Sequence, residues 1–167
     1  MSAMMNSTAP DSKDFFAKLS GDWKGTYTLY MRPTDPVSVS DINAQVKPVA
    51  LNNYFVMNYD WQHDSRPQEG VFLFAGQQET ASFSWGDSFH SVPEPMQCKG
   101  TWLDTDSGPK LIFHGSFSVG DGIPEWGWRT EFYAPDKDSF IMEAFVVKPE
   151  GAGETRSVLA EMKRVVV

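Results

Sequence analysis

The chain has 167 residues, 41% hydrophobic, 14% aromatic and 22% charged, a composition that suits one globular domain with its own core and excludes a disordered chain. Lys and Arg number 14 against 22 Asp and Glu, and a net charge of −8 argues against general binding of nucleic acid, whose phosphates such a surface repels. Cys98 stands alone, which excludes an intramolecular disulfide, and no apolar run approaches the roughly 18 residues that cross a bilayer.

Residues 1–10 read as a flexible tail and residues 11–167 as a single domain. The tail has neither the basic start nor the apolar stretch of a secretory signal, so Asn6-Ser7-Thr8 is not expected to be glycosylated. With the unpaired cysteine, this points to the cytoplasm. Pro10-Asp11-Ser12 then opens a short helix. Asp11 or Ser12 can cap its first amides, Phe15, Phe16 and Leu19 fall at helical spacing, and Gly21 stops the pattern. A helix this short must dock on something apolar to persist.

From Trp23 the period changes to two, with Trp23, Gly25, Tyr27, Leu29 and Met31 on one face. Arg32 to Pro36 is a turn. A second strand follows over 37–47, with a bulge expected near Asp41 and Pro48 expected to end it. Phe55, Met57, Tyr59 and Trp61 then alternate with Val56, Asn58, Asp60 and Gln62, the mark of a half-buried strand. Ser65-Arg66-Pro67 is expected to turn the chain. Strands over 71–76, 80–86, 97–104, 110–118, 126–133, 140–148 and 155–166 complete the series. About ten strands at spacings of roughly 8–15 residues predict an all-β sandwich or barrel. Nearly every connection suits a hairpin, which favours a closed up-and-down antiparallel barrel with a short N-terminal helix.

If the apolar parity points inward, Tyr27, Phe55, Tyr59, Trp61, Phe83, Trp85, Trp126, Trp128 and Phe132 line the interior. They are either a filled core or the walls of a ligand cavity. The histidines are His63, His90 and His114. His63 and His114 fall on opposite strand faces, so a three-histidine metal centre is not expected. His90 follows Trp85-Gly86-Asp87-Ser88. Asp87 can hydrogen-bond it, or Asp87 and Ser88 can simply hold a turn. Arg129, Glu131 and Glu143 read as outward charges. Cys98 has no activating neighbour, and no hydrolase, phosphate-loop or paired-cysteine motif is present.

The chain also resembles known families. A short helix, then Gly21-Asp22-Trp23, and a final Met162-Lys163-Arg164 are similar to the calycin pattern of lipocalin-like and fatty-acid-binding-like barrels. There a first-strand Trp meets a last-strand Arg at the closed end. The resemblance implies that Trp23 and Arg164 are closure residues, with Arg164 stacked on the indole. Leu19-Ser20-Gly21-Asp22-Trp23, Trp85-Gly86-Asp87-Ser88, Gly100-Thr101-Trp102 and Lys163-Arg164 resemble the uncharacterised, mostly bacterial domain-of-unknown-function family fifteen-seventy-nine, over about residues 12–166. That family implies a barrel and no established activity. The opening Gly21-Asp22-Trp23-Lys24-Gly25 is also similar to nitrobindin-like haem barrels. Those have another Gly where Tyr27 stands and a haem-ligating His near the C-terminus, whereas no His follows His114, so no haem and no other cofactor is expected.

The leading functional expectation is a binding protein for a small hydrophobic or aromatic ligand, held by Tyr27, Tyr59, Trp61, Phe83, Trp85, Trp126 and Trp128. One alternative is an enzyme using the same interior, with His90 or His63 as general base beside Asp87. Another is a filled barrel serving as an interaction scaffold. The sequence carries no signal for oligomeric state.

Overall fold

The computed structural model describes residues 9–91 and 93–167; residues 1–8 of the expected tail lie outside it. Helix α1 (Ser12–Leu19) precedes ten strands: β1 (Gly21–Leu29), β2 (Ser38–Val49), β3 (Tyr54–His63), β4 (Arg66–Gln77), β5 (Thr80–Asp87), β6 (Met96–Thr105), β7 (Gly108–Phe117), β8 (Trp126–Asp136), β9 (Ser139–Val147) and β10 (Glu154–Arg164). Each strand pairs antiparallel with its chain neighbours, and β10 pairs with β1 to close an up-and-down barrel. Closure leaves no free edge for another chain to add to.

Period-two patterning sets the inside. In β3, Phe55, Met57, Tyr59 and Trp61 are buried, and their alternates are more exposed. Trp23, Tyr27 and Leu29 in β1 and Phe83 and Trp85 in β5 follow the same rule. Met31 lies past the end of β1 and is 49% exposed. Gly25 is required by the seam: a Cβ there would meet the Glu161 carbonyl oxygen at 1.8 Å, so only glycine lets β1 lie this close to β10.

The second strand differs from expectation. The register from β1 to β2 and from β2 to β3 runs without a shift, so Asp41 is not at a bulge. Pro48 does not end the strand but pairs with Phe55 inside it. β1 pairs with β2 only as far as Val46, so Pro48 has no β1 partner to disappoint. The irregularities fall instead between Arg156 and Val158 and between Tyr133 and Asp136. The turn after β3 is Asp64-Ser65, both residues at positive φ as a two-residue type I′ hairpin needs, and Arg66 and Pro67 already belong to β4.

The two ends of the barrel are built differently. Tight turns join β4 to β5, β6 to β7 and β8 to β9 at the end where α1 sits. At the other end the strand bounds leave longer connections after β1, β5, β7 and β9, while β3 and β4 are joined by the tight Asp64-Ser65 turn. Asp11 caps α1, its carboxylate accepting the Asp14 N–H at 3.1 Å. The Ser12 N–H donates to the Gln78 carbonyl at 2.7 Å and the Ser12 hydroxyl to the Thr80 carbonyl at 2.6 Å, so α1 is tied across the β4–β5 turn. Phe16 and Leu19 point into the barrel, with Phe16 stacked on Phe74 at 4.6 Å.

Above Phe16 the interior is filled. Phe132 is met by Phe72, Phe74, Phe83 and Phe113 at interplanar angles of 86–90° and stacks on Phe140 at 21°. Edge-to-face rings attract through their quadrupoles as well as through buried area.

Candidate site at the barrel mouth

At the α1 end, Trp23 is 1% exposed and its indole N–H donates to the Leu19 carbonyl at 2.8 Å. Arg164 is its register partner across the β1–β10 seam, with the guanidinium carbon 4.3 Å from the ring centroid. The guanidinium donates to the carbonyls of Ser20 (2.8 Å), Lys18 (2.7 Å) and Lys137 (3.0 Å). One flat cation therefore holds the helix C-terminus, the β8–β9 turn and the indole face together.

The opposite end carries the titratable groups. Asp87 ends β5, and its side chain is fully buried. One carboxylate oxygen accepts the backbone N–H groups of Phe89 (2.8 Å) and His90 (3.1 Å), a turn that folds residues 88–91 back over the mouth. The same oxygen lies 3.2 Å from His90 Nδ1. The other accepts the Tyr59 hydroxyl at 2.5 Å, and that hydroxyl accepts the Trp85 indole N–H at 2.9 Å. Burial alone would raise the Asp87 carboxyl; His90, Tyr59 and the Phe89 N–H outweigh it and hold the group below the ordinary carboxylate value. Burial first, and the Asp87 charge second, push the Tyr27 and Tyr59 phenols well above their ordinary value. Asp87 is thus an ionised acceptor at neutral pH, and Tyr59 is a neutral donor.

Gly70 makes this network possible. It lies between Tyr59 and Asp87 in one row, paired to each. A Cβ on Gly70 would stand 2.1 Å from Tyr59 Cζ, so the phenol passes over a bare backbone to reach Asp87.

The His90 side chain is 9% exposed and enclosed by rings. Centroids of Phe89, Trp128, Trp61 and Trp85 lie 4.9, 5.7, 5.8 and 5.8 Å from its own. Trp61 stacks on Tyr27 at 4.2 Å, and Trp85 stacks on Trp128 at 5.3 Å. Among the described residues, two buried polar atoms of this ring cluster have no hydrogen-bond partner, His90 Nε2 and Trp61 Nε1. Thr130 Oγ1, on the inward face of β8, and Trp102 Nε1, beside α1, are likewise unpartnered.

The residues singled out in the sequence divide among these regions. Tyr27, Tyr59, Trp61, Trp85, Trp128, Asp87 and His90 come together at the mouth. Trp126 lies at the rim, half-buried against Phe117. Phe83 sits instead in the filled core, among Phe72, Phe74, Phe113 and Phe132. His63 is also at the rim, its Nδ1 3.3 Å from the Ser38 hydroxyl and its Nε2 3.4 Å from Asp64 rather than beside Asp87. His114 faces outward. Among the described residues no group of three His, Cys, Asp or Glu side chains could hold a metal ion. Cys98 is buried, and burial pushes its thiol up to about 12. Glu143 faces outward yet is only 7% exposed, covered by Arg156 at 3.0 Å and Tyr133 at 3.1 Å.

Sequence reasoning missed Phe89, Thr130 and Gly70. Gly70 had a signal: it shares the inward parity of Phe72 and Phe74, and a glycine on an aromatic inner face marks a close approach. Several outer depressions are distinct from the mouth. One of about 970 Å3 runs past Lys13, Tyr54, Thr101 and His114, and one of about 510 Å3 lies between α1 and the strand ends, against Phe15, Trp102, Pro109 and Ala134. No helix of the described residues is long and apolar enough to cross a membrane.

A family profile described as "Protein of unknown function (DUF1579)" matches residues 8–164. No curated protein matches the chain. Among solved structures, Rv2717c from M. tuberculosis is similar at 12% identity and a TM-score of 0.70, over 95% of this chain and 99% of that one. The S-type phycobiliprotein lyase CPES from Guillardia theta is similar at 10% identity and a TM-score of 0.63, over 95% of this chain and 94% of that one. At these identities the likeness is one of fold, a closed lipocalin-like barrel.

Proposed function

The chain belongs to the DUF1579 family of proteins of unknown function, and from the geometry of its barrel we propose that it binds a small aromatic or hydrophobic molecule at the mouth, within the ring cluster around His90. The observation that carries this reading is the pair of unpartnered ring nitrogens, His90 Nε2 and Trp61 Nε1, buried among aromatic side chains. Buried polar atoms are satisfied in nearly all native structures, and each exception calls for a partner. Ligand sites are mostly apolar walls with a few converging polar groups, which describes Tyr27, Tyr59, Trp61, Trp85 and Trp128 around Asp87 and His90. Phe83 is not part of this wall, because its ring is used in the filled core. A ligand enters by parting Phe89 from Trp61 and His63, which it meets only through edge-to-face contacts at 5.5 and 5.1 Å. A neighbour in fold named a phycobiliprotein lyase supports reading such an interior as a site and not as packing alone.

The test is titration with naphthalene-sized apolar fluorophores, followed by quenching of Trp emission. Micromolar binding is expected, weakened about tenfold or more by Trp128→Ala, since a lost aromatic wall is worth at least 1.4 kcal/mol. Absence of quenching in a folded wild-type protein overturns the reading.

A second reading rests on the same carboxylate–imidazole pair. Asp87 behind Nδ1, with Nε2 unpartnered, is the arrangement of a general base held by a positioned carboxylate. Turnover of a chromogenic aryl ester, lost in both Asp87→Asn and His90→Gln, would favour it over binding alone.

A further inference from the structure

The mouth cluster says more about its ligand than that it is apolar. This step rests on the binding reading above. Asp87 offers only acceptors to His90, having two oxygens and no proton to give. His90 Nδ1 must therefore carry the hydrogen that faces Asp87. In the neutral ring this leaves a bare lone pair on Nε2, an acceptor with nothing to accept. The Asp87 carboxylate cannot swing to another tautomer's service, because Tyr59 and two backbone N–H groups pin it. Trp61 Nε1 presents the opposite need. An indole nitrogen is a donor only, and this one has no acceptor. The two rings lie nearly parallel, at 26°, with centroids 5.8 Å apart.

We propose that the mouth selects planar aromatic molecules bearing a hydroxyl group, whose hydrogen is donated to His90 Nε2 and whose oxygen accepts from Trp61 Nε1. A hydroxyl is the smallest group that is donor and acceptor at one atom, so it answers both orphaned nitrogens together. An ether answers only Trp61, and a hydrocarbon answers neither. Sites built to hydrogen-bond a hydroxyl reject analogues lacking it, because the buried groups are then left unpaired. The rings of Trp61, Trp85 and Trp128 supply the planar contact, and the filled core below limits the depth to which a ligand can reach.

The experiment compares naphthalene, 2-methoxynaphthalene and 2-naphthol by calorimetric or fluorescence titration of the full chain. The wild-type protein should bind 2-naphthol at least tenfold more tightly than either analogue. In His90→Phe, which keeps an aromatic ring at the position, the advantage of 2-naphthol over the two analogues should disappear. Independently of any variant's folding, a long-range proton–nitrogen spectrum of the free wild-type protein should show His90 protonated on Nδ1 and bare on Nε2. If naphthalene binds as tightly as 2-naphthol, the two nitrogens serve a resident water and the proposal is overturned, while the binding reading stands. If His90 carries its hydrogen on Nε2, the proposal is overturned on its own ground. If none of the three compounds binds the folded protein, the binding reading itself fails.

Discussion

The two ends of this barrel treat a buried tryptophan and its polar neighbour in opposite ways. At the α1 end an indole and a charged group are saturated: Trp23 donates to Leu19, and Arg164 covers the ring and takes up three carbonyls from two further elements. At the mouth an indole and an imidazole, Trp61 at 2% exposure and the His90 side chain at 9%, are each left with one nitrogen unpartnered among the described residues. The strands supply the same period-two pattern to both ends, so the difference lies in what each end adds. A capped helix brings carbonyls to the first; an Asx-type turn brings only Asp87 to the second. Saturation makes a plug, and the partial saturation at the mouth is what the proposed binding of a molecule with the missing groups rests on. Trp102, unpartnered beside Phe15, is the exception at the α1 end, at the edge of the 510 Å3 depression there.

This contrast can be broken at either end, and the largest effect is expected at the plug. Trp23→Ala should cost about 3–5 kcal/mol in denaturant melts, with little change in the affinity of apolar probes for whatever folded protein remains. A loss of binding in step with Trp23 would mean that the ends are not separate.

Arg164→Lys comes next, at about 2 kcal/mol, because an ammonium can neither stack on the indole nor reach three carbonyls from one position. A variant as stable as the wild type would reduce the closure to apolar packing alone.

At the mouth, Gly70→Ala should cost about 1–3 kcal/mol by driving a methyl into Tyr59, and should separate Tyr59 from Asp87. Melts read the first effect, and altered probe affinity reads the second.

The Asp87 network also gives the mouth a pH signature. The folded carboxyl lies below its unfolded value, so its stabilisation is complete above about pH 4 and is lost as the pH falls through the lower folded value. Asp87→Asn should therefore be less stable than the wild type at pH 7, by about 2 kcal/mol, with the gap closing in acid. A gap that widens in acid would reverse the assignment. The smallest effect concerns Cys98: with its thiol pushed up to about 12 and its side chain buried, it should resist alkylation at pH 8 until the protein is unfolded.

The barrel was readable in the sequence where burial is strictly one-sided. Phe55, Met57, Tyr59 and Trp61 announce their strand because every second residue meets the core. The pattern fails where a partner strand is missing, as at Pro48, which looks like a terminator until β1 is seen to stop at Val46. It also fails where geometry depends on the residue across the sheet. Nothing local to Ser65, Arg66 and Pro67 shows that a type I′ turn at Asp64-Ser65 lets pairing start at Arg66. The mouth was half-legible. Asp87 and His90 were close enough in sequence to be paired on paper, and the aromatic parity placed Trp61, Trp85 and Trp128 on the inner face. That Tyr59 would cross a glycine to complete the carboxylate, and that Phe83 would be used in the core instead, are consequences of barrel register that one strand cannot reveal.

The six tryptophans make the division of the barrel directly measurable. Their indole N–H signals can be assigned and followed while 2-naphthol is added to the wild-type protein. The Trp61 signal should move furthest, Trp85 and Trp128 should follow, and Trp23, sealed under Arg164, should stay in place. Movement confined to Trp102, with Trp61 unchanged, would put the ligand in the groove beside α1 and contradict the assignment of the mouth as the binding end.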